Sequence, residues 1–140
     1  MGETKQSITI GAPAERVWEA VRDFHDMSWA PKVVTKCTPV GEVKGDQVGA
    51  KRILNDAFHE TLLEVNAAER TLRYSIDDGP RAVSEDTVDN YIGVIQVRAA
   101  DEASTIVEWN SSWQHNDEET YEFCHPLYLA LLDDMKKSLE

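Results

Sequence analysis

The sequence predicts an α+β fold: a curved antiparallel sheet of six to seven strands wrapped around a long C-terminal helix, with short helices near the N-terminus. Three observations lead there. An amphipathic helical stripe occurs early, at Ala14, Val17, Trp18 and Val21. A succession of period-two apolar runs separated by turn residues fills the middle of the chain. The chain then closes on a long segment with apolar residues at helical spacing, from Phe123 to Leu139.

In chain order, Thr4 to Ile10 alternates, with Ile8 and Ile10 on one face and Gln6 beside them, and reads as a first strand ended by Gly11. Pro13 suits a first helical turn, and the stripe from Ala14 to Val21 leaves Glu15, Arg16, Glu19 and Arg22 on the solvated side. Asp23 to Pro31 sets Phe24, Met27 and Trp29 among breakers, the pattern of a short irregular helix or loop that stays packed down. From Lys32 the period becomes two, and Val33, Val34 and Val40 predict a strand that stops in the Gly41 to Gly49 region.

Lys51 to Leu54 and Phe58 to Val65 form a hairpin through Asn55 and Asp56, and Asn66 to Glu69 turns the chain into Thr71 to Ile76. Asp77 to Glu85, with Gly79 and Pro80, reads as a longer loop placed to cover a pocket mouth or to serve only as a connection. Val88 to Val97 and Thr105 to Trp113 alternate over long runs that allow strong curvature. The terminal helix is expected from Asp117, as N-cap, to Leu139, and Pro126 predicts a kink or an interrupted first turn.

The whole chain, residues 1–140, is read as a single domain, large enough to bury roughly two-thirds of its extended surface. No apolar run approaches the ~20 residues of a membrane helix, and the first ten residues lack the basic start and apolar core of a signal peptide. A cytoplasmic location is the expectation. With 26 acidic against 14 basic residues and no basic patch, nucleic acid is not an expected partner. Cys37 and Cys124 read as two buried free thiols, and His25, His59, His115 and His125 stand in no short metal-ligand spacing. Neither a metal nor a cofactor is inferred.

A bent sheet around one helix rarely fills all the space between them, and aromatic residues at such a gap favour a ligand over a void. Tyr74, Tyr91, Trp109 and Trp113 are the candidates; the alternative is that they are simply core. Six stretches in order carry a resemblance over nearly the whole chain: Ile8 to Val21, the Trp29 and Pro31 pair, Val48 to Leu54, Glu60 to Ile76, Asn90 to Val97 and Thr105 to Trp109. In these the sequence is similar to the START-like, or SRPBCC, superfamily of lipid-transfer domains, pollen-allergen-like proteins, polyketide cyclase/dehydrases and plant hormone receptors. The resemblance implies a helix-grip fold with an internal cavity more firmly than it implies any activity. Two departures stand out. Ala30 occupies the place between Trp29 and Pro31 where similar bacterial proteins often carry histidine, and the Asn55 to Ala57 loop is too short for a receptor-type gate.

On that fold, alternation turns Tyr91, Gly93, Ile95 and Val97 inward, and likewise Val107, Trp109, Ser111 and Trp113. The resemblance turns Arg52, Leu54, Phe58, Glu60 and Leu62 inward from the hairpin and Tyr74 and Ile76 from the next strand, with Phe123 and Tyr128 closing the cup from the terminal helix. The candidate ligand-binding residues are therefore Arg52, Glu60, Tyr74, Tyr91, Trp109, Ser111, Trp113 and Phe123. Arg52 faces Glu60 if the hairpin loop has an odd number of residues, whereas a two-residue loop sets it opposite His59; the sequence leaves both open. The pair either orients a ligand's polar group or forms a structural cross-strand ion pair. His59 and His115 are the other acid–base groups near the sheet.

Three functions compete. The leading one is binding or carrying a small, largely hydrophobic molecule or lipid. The second is an enzyme resembling a polyketide cyclase or dehydratase, with Glu60 as acid or base and Arg52 stabilising an enolate. The third is an interaction module whose cavity is too full for a ligand.

Overall fold

In a computed structural model describing residues 1–140, seven strands and two helices follow one another. They are β1 (Gly2–Ile10), α1 (Ala14–Val21), β2 (Cys37–Val40), β3 (Lys51–Leu54), β4 (Phe58–Asn66), β5 (Thr71–Asp78), β6 (Asp89–Ala99), β7 (Thr105–Gln114) and α2 (Asp117–Leu139). All seven strands join one antiparallel sheet in the order β1-β7-β6-β5-β4-β3-β2. Sequential hairpins give that order from β2 to β7, and β1 completes it by pairing with β7 along its full length, Gly2 opposite Trp113 and Ile10 opposite Thr105.

The inward face is set by a period of two along β6 and β7, whereas β4 shifts register between Leu62 and Glu64. On β6 and β7, Tyr91, Gly93, Ile95, Val97, Val107, Trp109, Ser111 and Trp113 are all buried. Opposite them lies α2, whose buried side is Cys124, Tyr128, Leu131, Leu132, Met135 and Leu139. Its termini suit a helix dipole, with Asp117, Glu118 and Glu119 in the first turn and Lys136 and Lys137 in the last. Burial of Ala14, Val17, Trp18 and Val21 fixes α1 against the same core.

Four expectations are corrected. A single helix, α1, stands near the N-terminus; Asp23 to Pro31 is a series of turns that still buries Phe24, Met27 and Trp29. The strand after it starts only at Cys37, because Lys32 and Val33 lie in a turn whose amides donate to the buried carboxylate of Asp134 on α2, at 2.8 and 3.2 Å. The N-cap of α2 is Asn116, in the left-handed region at φ 54°, and Asp117 is the first helical residue. Pro126 does not interrupt α2: it sits on the exposed side, as does Glu122, whose carbonyl loses its helical donor and is left to water. The two cysteines are free thiols, Cys124 buried and Cys37 half-buried.

Candidate functional site

The hairpin of β3 and β4 closes with the three residues Asn55, Asp56 and Ala57, so the parity is odd and Arg52 pairs with Glu60. Both are nearly sealed, each side chain being 5 % exposed. Nε and Nη2 of Arg52 reach the same carboxylate oxygen, Glu60 Oε1, at 2.8 and 2.7 Å. Nη1 donates to the carbonyl of Phe24 at 2.9 Å and to the sulfur of Met27 at 3.3 Å. The guanidinium lies 3.7 Å from the centre of the Phe24 ring, a cation–π contact strengthened by the dry surroundings. Arg52 thus pins the turn segment of Phe24 and Met27 to the sheet. Burial pushes the Glu60 carboxyl above its ordinary range, against the opposing pull of Arg52.

Beside this pair a cavity of about 50 Å³ lies between the sheet and α2. Twelve of its fifteen lining residues are apolar, among them Met27, Val34, Leu54, Phe58, Leu127 and Leu131. A shallow surface groove of about 360 Å³ shares Met27 and Val34 with the cavity wall.

Above the cavity runs a row of buried hydroxyls. Trp109 Nε1 donates to Tyr74 Oη at 3.0 Å, Tyr74 meets Tyr128 at 3.0 Å, Tyr128 meets Tyr91 at 2.5 Å, and Tyr91 donates to the Cys124 sulfur at 3.4 Å. An indole N–H only donates and the Tyr91 hydrogen is spent on sulfur, so Tyr74 donates to Tyr128 and Tyr128 to Tyr91. Burial raises all three phenols well above their usual range and the Cys124 thiol to about 11. They are neutral hydrogen-bonding groups at any ordinary pH. Gly93 makes the row possible: a Cβ there would collide with the Tyr74 ring.

Of the residues singled out from the sequence, Arg52, Glu60, Tyr74 and Trp109 line the cavity together. Tyr91, Ser111, Trp113 and Phe123 do not. Tyr91 stacks on Trp113 with ring centres 5.7 Å apart, behind Tyr128. Ser111 meets Thr4 at 2.7 Å, and Phe123 packs on the outer side of Phe58, itself a lining residue. His59 and His115 are exposed, and the Asp77 to Glu85 loop is held to the start of α2 by Thr120, whose hydroxyl donates to the Ala82 carbonyl at 2.6 Å; none of the loop's residues lines the cavity, though Gly79 lies against the lining residue Phe58. Sequence reasoning passed over Met27, Val33, Val34, Leu127 and Leu131 as lining. The spacing of Leu127 and Leu131 beside Tyr128 carried a usable signal; nothing marked Val33 and Val34, whose turn depends on a carboxylate a hundred residues away.

Comparison with solved structures returns close matches of fold. A protein of Nitrosospira multiformis is 38% identical, with a TM-score of 0.95 over 99% of this chain and 96% of its own. One from Bacillus thuringiensis is 25% identical with a TM-score of 0.80, covering 99% and 98%. Norcoclaurine synthase of Thalictrum flavum, solved with dopamine and hydroxybenzaldehyde, is 16% identical with a TM-score of 0.72, covering 96% and 84%, a likeness of fold alone. No curated protein matches the sequence. The sequence profile described as "Polyketide cyclase / dehydrase and lipid transport" matches residues 1–140.

Proposed function

The chain belongs to the polyketide cyclase/dehydrase and lipid transport family, and from that premise we propose that it holds a small, largely apolar molecule between its sheet and α2. The apolar cavity carries this reading: a space walled by Leu54, Phe58, Leu127 and Leu131 favours a ligand that loses hydration on entering. At about 50 Å³ it takes a few atoms as it stands. A larger guest has to displace a side chain; Met27 and Val34 are the lining residues that the cavity shares with the surface groove, and moving Met27 also gives up its sulfur's contact with Arg52.

Native mass spectrometry of gently purified protein, followed by denaturing extraction, tests this. A stoichiometric adduct of small-molecule mass is the expected result. Protein that is clean apo and shows no change in tryptophan emission with millimolar apolar probes would overturn the reading, since Trp109 lies on the cavity wall.

One observation favours a second reading. The upward-shifted Glu60 carboxyl has the character of a general acid or base, as in a cyclase or dehydratase. Against it, each guanidinium nitrogen of Arg52 is already committed to protein acceptors, so Arg52 is poorly placed to stabilise an enolate. A bound polyketone-like compound recovered in altered form after incubation would favour this second reading over simple holding.

A further inference from the structure

The polar atoms around the cavity are almost all spoken for. Each guanidinium nitrogen of Arg52 has a protein acceptor. The Tyr74 and Tyr128 hydroxyls each make two hydrogen bonds within the buried row. Asn55 Oδ1 accepts from the amides of Thr35 and Lys36, while its Nδ2 donates to the Val33 carbonyl. The Cys124 sulfur accepts from Tyr91. The exception is Glu60. Its Oε1 takes both bonds from Arg52, and its Oε2 takes none. Nor is Oε2 sealed in protein: the buried side-chain atoms without a partner are the indole N–H groups of Trp29 and Trp113. Since Glu60 is 5 % exposed and lines the cavity, the space that Oε2 meets is the cavity.

From this unpaired acceptor we propose that the ligand is a neutral apolar molecule bearing a hydroxyl group, an alcohol or a phenol, whose O–H donates to Glu60 Oε2. This rests on the reading that the cavity holds a ligand and names the ligand's class. At a pH where Glu60 is ionised beside Arg52, the state in which the test is run, the polar group has to donate, because a carbonyl, ether or nitrile oxygen or nitrogen would set two acceptors against each other. It has to be neutral, because Arg52 already balances Glu60. An ammonium would add an uncompensated positive charge to an apolar space, and a carboxylate would add a negative one beside an oxygen that lacks a donor. In the empty protein a single water can serve Oε2, and the ligand hydroxyl replaces it bond for bond while the rest of the molecule gains apolar contact.

The test uses five ring compounds of similar size, phenol, toluene, benzonitrile, benzoate and benzylamine, titrated into the whole protein. Shifts of amide resonances around the cavity report binding. Phenol is expected to bind about tenfold tighter than toluene and benzonitrile, a difference of about 1.4 kcal/mol, with benzoate and benzylamine weaker than phenol. In Glu60→Gln the amide oxygen has to face Arg52, which only donates, and this turns the amide N–H into the cavity. The preference is then expected to shift from phenol to benzonitrile. Equal binding of toluene and phenol by the wild type overturns the hydroxyl inference while leaving the cavity a holder of apolar molecules, as does tighter binding of benzylamine or benzoate. No shift with any probe at millimolar concentration overturns both. The wild-type series decides even if the variant does not fold.

Discussion

At the scale of single residues, the site is a contrast between groups that are satisfied and one that is not. Tyr128 is the centre of the hydroxyl row, bonded on both sides, and its ring packs on Trp109 with centres 5.0 Å apart. Tyr128→Phe keeps the packing and removes both bonds, leaving Tyr74 without an acceptor and Tyr91 without a donor. A loss of about 1–3 kcal/mol in urea unfolding is expected, larger than for an exposed tyrosine such as Tyr121. Glu60 gives a pH signature. Its folded carboxyl titrates above the ordinary value of 4.5, so the native state holds the proton in a range where the unfolded chain has released it. Stability associated with this group is therefore full below about pH 4.5 and is lost as pH rises through the folded value. Comparing wild type with Glu60→Gln in urea should show the wild type losing ground over that window; parallel curves would mean that Arg52 fully offsets burial. The identity of this pair as inward-facing residues was legible in the sequence, but its register was not. Whether Arg52 meets Glu60 or His59 turns on one residue of loop length, and both Asn55–Asp56 and Asn55–Asp56–Ala57 are acceptable turn sequences.

At the scale of elements, the strands and helices were legible wherever one face is buried along an unbroken run. The stripe Ala14, Val17, Trp18 and Val21 and the alternation from Tyr91 to Val97 appear in the structure as read, because local period and burial agree. The segment from Lys32 to Lys36 defeated the same reasoning. Two adjacent valines favour extended structure, yet Asp134 on α2 captures the amides of Lys32 and Val33 and holds them in a turn. Such a long-range hydrogen bond has no local signature. That carboxylate also sets the position of Val33 and Val34 on the cavity wall. Asp134→Ala is accordingly expected to cost about 1–3 kcal/mol, to raise amide hydrogen exchange selectively at residues 32–34, and to quicken the exchange of any cavity ligand. Uniform exchange across the chain in that variant would contradict the pinning role.

For the whole molecule, a formal net charge of −12 on 140 residues means that most surface charges meet like neighbours at long range. The ion pairs other than Arg52–Glu60 are substantially exposed and add little to stability. Raising salt from about 10 to 150 mM shortens the screening length from ~30 to ~8 Å and is expected to raise the melting temperature in calorimetry; a fall would show that attractive pairs dominate. No helix is long and apolar enough to cross a membrane. The end of the hydroxyl row bears on how the molecule opens. Cys124 lies on the buried face of α2, and with its thiol pushed to about 11 only about one molecule in a thousand carries the reactive thiolate at pH 8, even before access is considered. The thiol of Cys37, on the four-residue strand β2, is also pushed up by burial and donates to the His25 carbonyl at 3.5 Å, but it is only half-buried and so the more accessible of the two. An alkylating reagent should therefore label the protein in two separate phases, Cys37 first and Cys124 at the pace at which α2 lifts from the sheet. The second phase would slow when the cavity is occupied, so the chain carries a built-in chemical clock for its own breathing.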